Sequence, residues 1–235
     1  MIRLAKFNSK ANPYPLLLPL WRNAIFVDWH KVLCREFFWF SILGKKDHPY
    51  FSRLHAAAAD LFTKRSDVVA DWMRGLLSSE DVVRSLEICL DRRCKDDFLL
   101  RRLREDCRRM PAHRELLLEL QAARRSSLVV LATDNMDCFI ERLRVGRDLE
   151  QAVDAVLCSA TLGVLKTDSV ANFFGPWLSA HNLSFADTVL LDDNQSICAE
   201  FSAAGGTAIL VRSVEQAIQD LRRWRIAREC ATDHI

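Results

Sequence analysis

The sequence lacks a dominant charge. Its 235 residues carry 33 basic and 31 acidic side chains, a formal net charge of +2, so bulk charge recruits no polyanion and no nucleic-acid partner is expected. It also lacks an apolar stretch of ~20 residues, so no membrane span is predicted. Leu16–Trp21 is apolar but short and interrupted by Pro19. It has neither the length nor the small-residue cleavage site of a signal peptide. Repeats and low-complexity segments are absent. The eight cysteines, at 34, 89, 94, 107, 138, 158, 198 and 230, form no Cys-x-x-Cys pair, and Cys89 and Cys94 have no histidine at zinc-ligand spacing. A chain of this length needs no disulfide staples. The expectation is a cytoplasmic protein whose cysteines act as small buried hydrophobes.

What is present is an ordinary globular composition, 50% hydrophobic and 27% charged. The length exceeds one average domain and falls short of two. Five short apolar runs stand out: Ala24–Val27, Leu128–Ala132, Ala155–Cys158, Thr188–Leu191 and Thr207–Val211. None alternates with polar residues, which is the pattern of parallel strands buried on both faces. The last four are spaced for one crossover helix each. Met136–Leu143 places Phe139, Ile140 and Leu143 on one helical face. Asn194 can cap a helix that Gly205-Gly206 then stops.

The gap between the first two runs is roughly a hundred residues and reads as helical throughout. Helical spacing runs through Tyr50–Lys64, Ser66–Leu77, Ser79–Leu90 (opened by a capping serine), about 95–109 and Ala112–Ala123. The fold class is therefore α/β. A Rossmann-like parallel five-stranded sheet core, residues 1–35 and 112–235, holds an inserted α-helical cap, residues 36–111.

Open parallel sheets bind ligands beyond the carboxyl ends of their strands. The residues there are Asp28-Trp29-His30, Thr133-Asp134-Asn135, Ser159 with Gly163 and Lys166, and Asp192-Asp193-Asn194. Asp28, Asp192 and Asp193 on one rim would repel one another unless a cation sat among them. Carboxylate oxygens without a cysteine or histidine cluster favour Mg²⁺. The Thr133 hydroxyl and Lys166 ammonium suit the remaining charge of a phosphate. Each residue alone has a plain structural reading: Asp28 as a turn or helix cap, Thr133 as a turn residue, Lys166 as a solvated charge, Asp192-Asp193-Asn194 as a capping cluster.

In order and spacing these four segments resemble the motifs of the haloacid dehalogenase-like hydrolase superfamily. Ala24–Val27 with Asp28 resembles the first, Leu128–Ala132 with Thr133 the second, Ser159 to Lys166 the third, and Thr188–Leu191 with Asp192-Asp193 the fourth. The helical insert sits where that family places a cap, and Trp72 to Ser78 resembles a stretch common in such caps. The resemblance implies a phosphatase of small phosphorylated metabolites. Asp28 would be the nucleophile that forms an aspartyl-phosphate. Mg²⁺ would be held by Asp28, the His30 carbonyl, Asp192 and Asp193. Thr133, the Asp134 backbone N–H and Lys166 would bind the phosphoryl group.

One departure bears on the chemistry. The family's phosphatases carry a second aspartate two residues after the nucleophile, where this sequence has His30. The usual glycine after that is Lys31, and the proline after the third-motif lysine is Thr167. Imidazole can serve as acid and base near neutral pH. The alternatives are a member impaired in turnover that binds a ligand or a protein, and a dehalogenase, which the intact acidic pair disfavours. The arginines of 92–109 (Arg92, Arg93, Arg101, Arg102, Arg104, Arg108 and Arg109) read as a solvated face, with a substrate-anion clamp as the sharper reading. Lys45, Lys46 and His48 fall on an early loop of the insert, and Arg222, Arg223, Arg225 and Arg228 on a final amphipathic helix.

Overall fold

The computed structural model describes residues 3–4, 23–86 and 97–232. Leu16–Trp21, the end of the expected Ser79–Leu90 helix, Cys89, Cys94, Arg92 and Arg93 lie outside the described residues. All five expected runs are strands, joined by a two-residue edge strand: β1 (Arg3–Leu4), β2 (Ala24–Val27), β3 (Leu128–Thr133), β4 (Ala155–Cys158), β5 (Thr188–Asp192) and β6 (Thr207–Leu210). They form one parallel sheet in the order β1-β4-β3-β2-β5-β6. The chain builds outward from β2 through β3 and β4, then returns to the other side of β2 for β5. This makes β2 the topological switch point, where connections diverge and leave a crevice beyond the strand ends.

The unalternated runs are explained by burial on both faces. Ile25, Val27, Val129, Leu131, Val189 and Leu191 face one apolar layer, with Leu116 and Leu120 of the helix Arg114–Ala123 and Leu221 of the helix Val214–Thr232. Phe26, Val130, Ala132 and Leu190 face the other, with Phe173, Phe174 and Trp177 of Val170–Ala180 and Phe201 of Gln195–Ala203. Phe26 meets Phe174 edge-on, with ring centroids 4.7 Å apart. Asn194 caps Gln195–Ala203 by accepting from the Ser196 and Ile197 N–H groups (2.9 and 3.3 Å), and Gly205 ends that run at φ +98°.

The segment between β2 and β3 is helical: Phe40–Leu43, Phe51–Lys64, Ser66–Met73, Ser79–Ser85, Phe98–Arg109 and Arg114–Ala123. The Ser66 helix stops at Met73, short of the expected Leu77, because Gly75 turns the chain at φ +71°. The expected helix at 136–143 opens as a 3₁₀ turn, Asp137–Phe139, before Ile140–Val145, and Arg147–Ala152 is a helix that periodicity did not reveal. The arginines of Phe98–Arg109 pair along and beside their helix: Arg101 with Asp97 (3.0 Å), Arg102 with Glu105 (3.3 Å) and Arg108 with Glu141 (2.9 Å). That is the solvated-face reading. No described helix is long and apolar enough to cross a membrane. The six described cysteines are free thiols, five buried and Cys230 exposed.

The inserted helices are latched to the sheet through the segment from Trp72 to Ser79. Ser78, not Ser79, caps Ser79–Ser85, in a capping box with Asp81. Ser79 turns inward instead. Its N–H (3.1 Å) and hydroxyl donate to Asp137, just past the end of β3, and the Trp72 indole N–H donates to the same carboxylate at 3.0 Å. Arg74 forks onto Asp168 with contacts of 2.9 and 2.5 Å. Gly75 lies against the backbone of Ala160, whose carbonyl oxygen a β-carbon at 75 would strike. Asp137→Ala leaves the Ser79 N–H and hydroxyl without their acceptor and takes one of two acceptors from the Trp72 indole, the other being the Ser79 hydroxyl at 3.2 Å, and is expected to cost about 3 kcal/mol. Urea unfolding checks this; an unchanged midpoint would refute the latch.

Candidate active site

Asp28 leaves β2 with its N–H donated to the Leu191 carbonyl of β5 at 2.9 Å, so the sheet ladder itself fixes this residue. Its carboxylate accepts from the Lys166 ammonium at 2.8 Å. The same ammonium donates to Asp192 at 2.6 Å, at the end of β5. All three are buried: Asp28 is 6% exposed, Lys166 2% and Asp192 1%. Asp193 completes the group, with one oxygen from each of Asp28, Asp192 and Asp193 within 4.8 Å of the others.

Three carboxylates against the Lys166 ammonium and the exposed Lys31 ammonium, which lies 3.3 Å from Asp193, leave an excess of negative charge in a poorly solvated place. The protonation behaviour follows first from burial and then from these neighbours. Burial pushes the Asp28 carboxyl up to about 7; Lys166 opposes the rise and Asp192 reinforces it. Burial also disfavours the Lys166 ammonium, but Asp28, Asp192 and Asp134 outweigh it and hold this lysine above its usual range. The donors at the gap are all hard oxygens, without thiolate or imidazole, and fit a divalent cation of the Mg²⁺ type.

The loop that delivers Lys166 is held from two sides. Its own N–H donates to the Asp134 carboxylate at 2.9 Å, and the Leu165 N–H donates to Asp168 at 3.1 Å. Burial holds the Asp134 carboxyl above its ordinary value, against the pull of Lys166. The sequence reading gave Asp134 a backbone role; its side chain positions the lysine loop. Thr133, at the end of β3, is 1% exposed, and its hydroxyl has no hydrogen-bond partner among the described residues. Beside it, the Asn135 N–H donates to the Ser159 hydroxyl at 2.9 Å, which ties the ends of β3 and β4 together.

His30 is half-buried and faces Phe37, ring centroids 5.5 Å apart. Burial lowers its pKa, Lys31 lowers it further and Asp193 opposes, so the ring is neutral at pH 7. Lys31 sits at φ +60°, the left-handed region that glycine enters freely. Its ammonium lies 3.3 Å from Asp193. Sequence reasoning missed this contact, although the absent glycine marked the position. It also missed Asp168 and Asp137, whose only trace was the Trp72 to Ser78 stretch they bind. Arg142 was missed too. Only 5% exposed, it lies over the Trp29 ring at 5.5 Å and donates to the Met110 carbonyl at 2.9 Å. Lys45 and Lys46 are exposed, and His48 accepts from the Tyr50 N–H at 3.2 Å.

No family model and no curated protein matches the sequence. Solved structures do match. A predicted HAD-like family hydrolase from Porphyromonas gingivalis superposes with a TM-score of 0.61 at 16% identity, over 86% of this chain and 98% of its own. A HAD-family enzyme of Bacteroides thetaiotaomicron, in complex with magnesium and inorganic phosphate, gives 0.58 at 12% identity, over 80% and 92%. The L-2-haloacid dehalogenase from Xanthobacter autotrophicus, with chloropropionic acid covalently bound, gives 0.54 at 13% identity, over 79% and 76%. A parallel sheet switching at β2, helices inserted after its first core strand, and this agreement across nearly the whole of two of those structures lead to one conclusion: the chain has the haloacid dehalogenase-like hydrolase fold.

Proposed function

We propose that the chain is a divalent-cation-dependent phosphatase of small phosphorylated molecules, acting through Asp28. The observation that carries this reading is the buried Asp28–Lys166–Asp192 bridge at the strand ends. An Asp28 oxygen attacks phosphorus, the bond to the leaving oxygen breaks with its electron pair on that oxygen, which takes a proton from water and leaves as the alcohol, and an aspartyl-phosphate forms. Water then attacks the phosphorus and releases phosphate, restoring the Asp28 carboxylate. Lys166 steers the nucleophile and meets charge on the transferring group, and the unpartnered Thr133 hydroxyl is free to donate to a phosphoryl oxygen. Asp28, the His30 carbonyl, Asp192 and Asp193 would hold Mg²⁺, which when bound supplies charge neutralisation and orients the phosphate. The neutral His30 imidazole stands where a phosphatase of this superfamily has its acid/base aspartate, and can take a proton from the attacking water.

A second reading, a ligand-binding member impaired in turnover, draws on the Lys31–Asp193 pair, which places an ammonium where a cation's ligand is needed.

Four outcomes test these roles. Asp28→Asn is expected to lower phosphate release from a panel of phosphomonoesters by on the order of 10⁴-fold; activity that survives it rules out the covalent route. His30→Ala should lose ~10²-fold or more, with His30→Asp recovering the rate; equal rates in all three would remove His30 from the chemistry. Lys166→Met leaves Asp28 and Asp192 buried without a counter-charge and should cost about 3–5 kcal/mol. Added Mg²⁺ should return part of that stability, as read by thermal melting. Lys31→Gly removes an exposed pair worth ~1 kcal/mol or less, so Mg²⁺ should bind up to about fivefold more tightly. Titration calorimetry reads it, and an unchanged affinity argues that the Lys31 pair is irrelevant to the cation.

A further inference from the structure

A cavity of about 70 Å³ is walled by residues that directly follow Asp28 and Thr133 in the chain. Trp29 and His30, directly after Asp28, form one wall, and Asp134 and Met136, just after Thr133, form another. The chain has four methionines, and the three other than Met1 all line this one cavity: Met73 from the insert, Met110 ahead of the helix Arg114–Ala123, and Met136. Phe37 and Phe38 close it from the connection that leads into the insert. Phe37 keeps 37% of its surface exposed at the mouth, unusual for a ring with so many apolar neighbours. Methionine thioethers and aromatic faces make an adaptable apolar surface with few hydrogen-bonding groups.

The charges are as telling. Glu36 and Asp134 reach the lining, and among the described residues no lysine or arginine does. A second anionic group on a substrate would meet carboxylates and no cation. A polyol would bring several hydroxyls to a surface that is mostly thioether and ring, with His30, Glu36, Asp134 and Asn135 among the few side chains that can pair with them. The volume is well under the about 150 Å³ of an engineered cavity that takes up benzene.

From this geometry, and resting on the phosphatase reading above, we infer that the substrate is a monoester whose phosphate is its sole anionic group and whose alcohol portion is a short, uncharged, apolar chain held by Met73, Met110, Met136, Phe37 and Phe38. Glycerol phosphates, sugar phosphates and phosphorylated hydroxy acids are disfavoured. So is a haloacid, whose carboxylate would find no cation among the described lining residues.

Three probes of equal chain length test it with the Mg²⁺-loaded protein: n-propyl phosphate, glycerol 3-phosphate and 3-phosphoglycerate. The expected order of kcat/KM places n-propyl phosphate at least about tenfold above glycerol 3-phosphate and about a hundredfold above 3-phosphoglycerate. Met73→Lys supplies the missing cation and should narrow the gap to 3-phosphoglycerate, whereas Met73→Leu should not. Equal or reversed rates overturn the inference and leave the phosphatase reading standing. Hydrolysis of none of the three esters, nor of any in a wider panel, counts against the phosphatase reading. The cavity is then judged alone by methyl spectra of ¹³C-methionine-labelled protein. Excess n-propanol should shift the Met73, Met110 and Met136 resonances and excess glycerol should not. Unmoved resonances, or equal shifts with both alcohols, overturn the inference whatever the kinetics.

Discussion

One ammonium group holds the rim of this protein together. Lys166 is buried between Asp28 and Asp192, on adjacent strands β2 and β5, and donates to both at hydrogen-bond distance. Without it, two carboxylates would face each other in a site from which water is nearly excluded. With it, the cluster still carries excess negative charge, because Asp193 joins the group. That residual charge gives the site its appetite for a cation, while burial, more than any neighbouring charge, raises the Asp28 carboxyl to about 7.

Lys166 can do this only because its loop is fixed. Asp134 receives its N–H from the β3 side, and Asp168 receives the Leu165 N–H. Asp168 is also the carboxylate that Arg74 of the insert grips. The helices inserted between β2 and β3 are thus coupled to the lysine loop through one side chain, while Asp137 anchors them beside the end of β3. The same docking sets Met73 over the strand ends beside Met136 and so makes the cavity. The contacts that hold the insert in place also shape the space in which a leaving group would lie.

Much of the fold was readable because burial on both faces of a parallel sheet writes itself as short unbroken apolar runs, and all five runs are strands. The strand-end residues were readable for a related reason. A polar residue directly after such a run has nowhere to go but the rim, so Asp28, Thr133 and Asp192 could be placed from position alone. Other features needed partners distant in sequence. Ser78 and Ser79 are chemically identical as helix caps; which one caps was decided by Asp137, 58 residues from Ser79, which draws Ser79 inward. Asp134 acts through its side chain because the Lys166 backbone arrives opposite it.

The sequence by itself determined the sheet, the place of the helical insert and the carboxylates at the rim, since each follows from local hydrophobicity and chain order; the lysine was legible only from its register with the other motifs. Only the tertiary structure decided how those charges balance, that Lys31 occupies a left-handed backbone position against Asp193, and that three scattered methionines share one cavity. Those outcomes depend on distances between elements, and the energy of a charge or an apolar surface depends on what is packed against it rather than on its neighbours in the chain.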